Sequence, residues 1–171
     1  MTSAPRLVVV GSANTDLVCA CPHLPTPGET ILGGEFVQAA GGKGANQAVA
    51  AARLGAQVTF VARLGTDTFG DTALAGYAAA DLDCSHVTRD PARPSGVALI
   101  LVDQRAENVI VVAPGANAAL TPAHVEAAGP AIRAADAVLA QLEVPLATVQ
   151  AAADAARAAG VRFLLNPAPM P

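Results

Sequence analysis

Six consecutive residues carry the densest chemistry in this chain: Gly41-Gly42-Lys43-Gly44-Ala45-Asn46. Three glycines in four positions let the backbone take a positive φ and let a ligand approach the peptide closely. An Ala-rich helical run follows, Ala45 to Leu54, closed by Gly55. A helix start offers N–H groups and the positive end of the dipole. Lys43 adds a mobile cation with three donors, and Asn46 adds a donor and an acceptor. The stretch forms a polar lip for an anion or a polyol. Two familiar phosphate loops are excluded. A Walker loop needs Ser or Thr after the lysine, where this chain has Gly44. A dinucleotide fingerprint needs Gly-x-Gly-x-x-Gly after the first strand, where this chain has Gly11-Ser12-Ala13-Asn14-Thr15-Asp16.

Four further polar residues follow apolar runs that read as buried parallel strands. Asn14 and Asp16 follow Arg6–Val10, Glu143 follows Ala137–Leu142, and Asn166 follows Val161–Leu165. In open α/β sheets, ligands bind just beyond the carboxyl ends of the strands. An aspartate there can accept hydrogen bonds from two neighbouring hydroxyls, as a sugar diol presents them. Capping of turns by Asn14 and Asp16, and a salt bridge or cap by Glu143, are the plain structural alternatives.

The elements that must position these residues alternate between strand and helix. Val58–Ala62 reads as a strand, Phe69–Ala80 as a helix capped by Asp67, and Leu146–Ala159 as a helix closed by Gly160. Thr121-Pro122 opens a helix running to about Ala134. Four extended pieces have no helix between them: about 17–21, 30–40, 96–102 and 108–113. The last two form a β-hairpin across the polar turn Asp103–Glu107. These pieces suit a second, small sheet outside the main layers. His86 sits in a connector and reads as a surface residue.

Composition narrows the function classes. The 171 residues are 53% hydrophobic but only 3% aromatic, so Ala, Val and Leu must build the core. The net charge is -4 with no basic cluster, which argues against nucleic acid and anionic membranes as partners. The apolar runs are too short to span a bilayer, and the N-terminus lacks the pattern of a signal peptide. A cytoplasmic protein is expected. Cys19, Cys21 and Cys84 read as reduced thiols, since two sulfurs without histidine nearby make a poor zinc site.

The loops above, together with Pro27-Gly28-Glu29-Thr30, Gly65-Thr66-Asp67 with Gly70, Gly115-Ala116-Asn117, Gln141-Leu142-Glu143 and Asn166-Pro167-Ala168-Pro169, resemble the ribokinase/PfkB carbohydrate kinase family. The resemblance runs over the whole chain. It implies a Rossmann-like three-layer α/β/α domain with a small β-sheet lid made of the four extended pieces. It further implies a homodimer through that lid. Position by position, it implies that Asn14, Asp16, Gly42, Lys43, Asn46 and Glu143 bind the sugar, with Asn166 structural. The implied reaction moves the ATP γ-phosphoryl group to the 5-hydroxyl of D-ribose, with Mg²⁺ and a monovalent cation such as K⁺. The family's Gly-Ala-Gly-Asp motif, with its catalytic base and anion hole, is absent, so the C-terminal part of such a kinase is missing. The base and the ATP site are expected beyond Pro171, and these residues alone are expected to be inactive. Alternatives are a kinase for another sugar or a nucleoside, a non-catalytic sugar-binding module and, least well supported, a dinucleotide-dependent oxidoreductase.

Overall fold

The computed structural model describes residues 4–169. Its strands are β1 (Arg6–Val10), β2 (Asn14–Ala20), β3 (Phe36–Gly41), β4 (Gln57–Gly65), β5 (Val87–Asp90), β6 (Gly96–Val102), β7 (Asn108–Ala113), β8 (Ala137–Ala140) and β9 (Arg162–Leu165). The helices are α1 (Lys43–Arg53), α2 (Thr68–Ala79), α3 (Pro122–Ala127), α4 (Gly129–Ala134) and α5 (Leu146–Ala159), with a 3₁₀ turn at Gly115–Ala119.

Five strands make one sheet in the order β5-β4-β1-β8-β9, with every pairing parallel. Alternation along β1 explains the layering. Val8 and Val10 point into a core shared with α3, α4 and α5 through Val125, Ile132 and Val149. Val9 points the other way, into a core with α1 and α2 through Ala45, Ala48 and Tyr77. Because α1 buries only Gly44, Ala45 and Ala48, it lies close to the sheet. Phe60 and Tyr77 meet edge to face at 5.3 Å, which ties α2 to β4 despite the scarcity of aromatics.

The second sheet has the order β3-β2-β6-β7. Strands β2 and β6 run parallel, while β3 and β7 are antiparallel to their neighbours. It leaves the main body where β1 passes through Gly11–Ala13 into β2, and returns through Gly41 into α1. Asp67 caps α2 by accepting from the Gly70 N–H at 2.9 Å. It also accepts from the Ser95 N–H and hydroxyl, both at 2.7 Å, and so fixes the start of β6.

Several boundaries differ from the sequence reading. The extended piece expected over 30–40 is a strand only from Phe36, although the Gly34 N–H still donates to the Ala20 carbonyl at 2.8 Å and the Ala20 N–H to the Glu35 carbonyl at 2.9 Å. The piece expected at 17–21 begins at Asn14. Asn14 and Asp16 therefore belong to the second sheet rather than to a turn at the end of β1. The helix expected from Pro122 to about Ala134 breaks into α3 and α4 at Ala128, because Pro130 cannot donate to the ladder. Strand β5 is the unread edge of the main sheet: Val87–Asp90 is short and polar, and pairing with β4 sets its conformation. No helix among the described residues is long and apolar enough to cross a membrane.

Candidate sugar site

At the carboxyl edge of the main sheet, a cavity of ≈ 370 Å³ lies beneath the second sheet. It is lined by Asn14, Asp16, Gly42, Lys43, Asn46 and Glu143, the six residues singled out above. Four residues missed by the sequence reading complete its apolar wall: Ala98 and Ile100 of β6, and Ile110 and Val112 of β7. Their every-second-residue spacing puts them on one face of the sheet, and that alternation was the available signal. Pro169 closes one side. Its loop is held by Asn166, whose N–H donates to the Ala140 carbonyl at 2.9 Å, and by the Leu142 N–H, which donates to the Ala168 carbonyl at 3.0 Å. Asn166 itself does not line the cavity. A second cavity of ≈ 260 Å³ opens at the opposite end of the sheet, beside Arg6, Asp81 and Asp83. There Asp83 is already occupied by the Thr59 hydroxyl and the Ser85 N–H.

The glycine loop does two separate things. Gly42 precedes α1 at φ 90°, where a side chain would strain the backbone and would lie 2.7 Å from the Asn14 nitrogen. Gly41 leaves room for the Asp16 carboxylate, which any Cβ there would strike. The first N–H groups of α1 are not bare, contrary to the sequence reading. The Lys43 N–H donates to Glu143 Oε2 at 2.8 Å, the Gly44 N–H to Ser12 Oγ at 3.2 Å, and the Ala45 N–H to the Ser12 carbonyl at 2.8 Å. Buried Ser12 also donates its hydroxyl to Glu143 Oε2 at 2.6 Å. Glu143 thus caps α1 from a hundred residues away. Its other oxygen, Oε1, lies 3.2 Å from Lys43 Nζ. The capping and salt-bridge alternatives for Glu143 both hold, in a residue that also faces the cavity.

Electrostatics separate the two ligand classes left open by the loop. Burial pushes the Asp16 carboxyl above its ordinary value; nearby Glu143 adds to the rise and Lys43 opposes it. The local field is therefore that of two carboxylates against one ammonium, which is unfavourable for an anion. Acceptor oxygens with a few donors among apolar walls fit a neutral polyol. Among the described residues, no group of three or more His, Cys, Asp or Glu side chains could hold a metal ion. Cys19, Cys21 and Cys84 are free thiols.

The family model of pfkB family carbohydrate kinases matches residues 4–171. A ribokinase of Haemophilus influenzae is 44% identical over 163 residues, which cover 95% of this chain and 53% of that protein. A deoxyribokinase of Salmonella typhi is 36% identical, again over 95% of this chain and 53% of its own length. The structure of Arabidopsis thaliana ribokinase complexed with ribose and ATP superposes with a TM-score of 0.84 at 34% identity. That superposition covers 98% of this chain and 55% of that one. The chain thus spans about half the length of the relatives it matches.

Proposed function

Because the chain belongs to the pfkB family of carbohydrate kinases, we propose that it is the sugar-binding part of an ATP-dependent kinase that phosphorylates D-ribose at the 5-hydroxyl. The observation that carries this reading is the single cavity lined by Asn14, Asp16, Gly42, Lys43, Asn46 and Glu143, with a field suited to a neutral polyol. In this reading Asp16 accepts from two sugar hydroxyls, while Lys43 and Asn46 hold the far side of the ring. Glu143 keeps Lys43 and the start of α1 in place. The β6–β7 wall acts as a lid that excludes water, a competing phosphoryl acceptor. Ribose is favoured over other sugars by the ribokinase of Haemophilus influenzae at 44% identity. The deoxyribokinase at 36% identity makes 2-deoxy-D-ribose the second candidate.

Phosphoryl transfer depends on positioning and on stabilising charge at the transferring group. We assign no residue of this chain to ATP, Mg²⁺ or K⁺, nor to a catalytic base. Pro171, past which the base is expected, lies outside the described residues. These 171 residues by themselves bind sugar without turning it over. The outer face of the lid carries Leu99, Val109 and Val111, exposed at 53%, 47% and 60%, and this apolar face supports pairing of two copies through the lid. The free thiols agree with a cytoplasmic location.

Calorimetric titration with D-ribose, 2-deoxy-D-ribose, D-fructose and adenosine tests the reading, with ADP release measured in parallel. Saturable binding of ribose, weaker binding of the others and no ribose-dependent ADP release are expected. A folded protein that binds none of the four would refute the sugar site. Ribose-dependent ADP release would refute the inactivity.

A further inference from the structure

The orientation of the Asn14 side chain is decided by a residue 103 positions away. Asn117 lies in the 3₁₀ turn and is 1% exposed. The backbone of Ala13 settles which end of its amide is which. The Ala13 N–H donates to Asn117 Oδ1 at 2.9 Å, and a peptide N–H can meet only an acceptor. The Ala13 carbonyl accepts from Asn117 Nδ2 at 3.1 Å, and a carbonyl can meet only a donor. That same nitrogen reaches Asn14 at 2.7 Å, so the Asn14 atom there must be the oxygen, Oδ1. The NH₂ group of Asn14 is thereby left for the cavity that the residue lines, with no acceptor for it among the described residues. Gly96, paired with Asn14 across β2 and β6, makes room for the contact. A Cβ at that position would strike both Asn14 Oδ1 and Asn117 Nδ2.

We infer that Asn117 is a positioning residue that transmits the polarity of the Ala13 peptide through two side-chain amides, so that Asn14 presents a fixed hydrogen-bond donor to the cavity. Two residues along the same strand face, Asp16 presents an acceptor. The pair reads a pattern: the ligand offers an acceptor oxygen to Asn14 and a hydroxyl proton to Asp16. A hydroxyl or a ring oxygen satisfies Asn14. An ammonium group, which only donates, is refused there. The amide lock follows from the backbone of Ala13 alone, whereas its use in choosing a sugar rests on the kinase reading.

Side-chain amide exchange in the ¹⁵N-labelled chain tests both parts. Among the described residues, the Asn117 NH₂ has two protein acceptors and the Asn14 NH₂ has none. Without ligand, the Asn14 protons should exchange about tenfold or more faster than those of Asn117. Equal protection of the two groups would overturn the lock. Saturating D-ribose should slow the Asn14 protons and leave those of Asn117 unchanged. Ribose without effect on Asn14, with the exchange difference intact, would leave the lock standing and sink the sugar reading instead. Asn14→Asp keeps an oxygen toward Asn117 and replaces the cavity-facing NH₂ by a second acceptor. It should retain the slow Asn117 protons and weaken ribose binding by about tenfold or more. Ribose affinity within about twofold of wild type would overturn the donor role.

Discussion

Replacing Glu143 by alanine would remove one carboxylate and leave three donors without their acceptor. The Ser12 hydroxyl is fully buried and donates to Glu143 over 2.6 Å. Stranding a buried polar group costs about 1–3 kcal/mol. The Lys43 N–H opens α1 and donates over 2.8 Å, and losing such a cap costs about 0.5–2 kcal/mol. The Lys43 ammonium lies 3.2 Å away, but its side chain is 38% exposed, so solvent limits its share to less than about 1 kcal/mol. These effects share one side chain and do not simply add, which gives a loss of about 3 kcal/mol. At about 2–4 °C per kcal/mol for a chain of this size, the melting temperature should fall by roughly 6–12 °C. Glu143→Gln keeps an acceptor for Ser12 and Lys43 and loses only the charge, so it should fall by less than half as much. Thermal unfolding followed by circular dichroism measures both. A Glu143→Ala melting temperature within about 1 °C of wild type would refute the claim that this carboxylate joins the β8 end to α1.

Three further outcomes are expected. Burial and Glu143 raise the Asp16 carboxyl, so the folded state takes up that proton more readily than the unfolded chain. Protonation therefore does not unfold the protein, but ribose affinity falls as pH drops through a value above the ordinary carboxylate range. Titrations run downward from neutral pH to the lowest pH at which the fold is intact check this; an affinity unchanged over that whole range would remove the ionised Asp16 from the site. Gly42→Ala forces a side chain onto φ 90° and against the Asn14 nitrogen at 2.7 Å, and should cost about 2–4 kcal/mol in urea unfolding. A change below about 0.5 kcal/mol would contradict that geometry. The proposed pairing through the lid predicts that the chain sediments as a dimer and that Val111→Asp, at a position 60% exposed on the outer lid face, leaves the fold intact and gives monomers. A variant that still sediments as the dimer would place the interface elsewhere.

Local pattern was enough for much of the fold. Arg6–Val10 and Leu146–Ala159 appear with the bounds read from sequence, since an uninterrupted apolar run and a glycine-closed helix are short-range signals. The six cavity residues were legible for a related reason: each belongs to a short motif at the carboxyl edge of the main sheet. Strand β5 was not legible, because pairing with β4, rather than its own residues, makes Val87–Asp90 extended. The break at Ala128 was missed although Pro130 is plain in the sequence, because the helical pattern continues on both sides of it.

What tertiary structure alone decided is how the motifs face one another. The sequence puts a glycine-rich helix start at Lys43 and a glutamate at position 143, and each by itself suggests a ligand-facing group. Folding brings them within 2.8 Å, so the helix N–H that looked available for an anion is already taken by the protein's own carboxylate. The direction of the Asn14 amide is likewise invisible in one dimension, since it depends on Asn117 lying against the Ala13 backbone. Residue types and spacing determine which donors and acceptors this protein owns. Only long-range packing determines which of them the protein satisfies itself and which remain for a ligand.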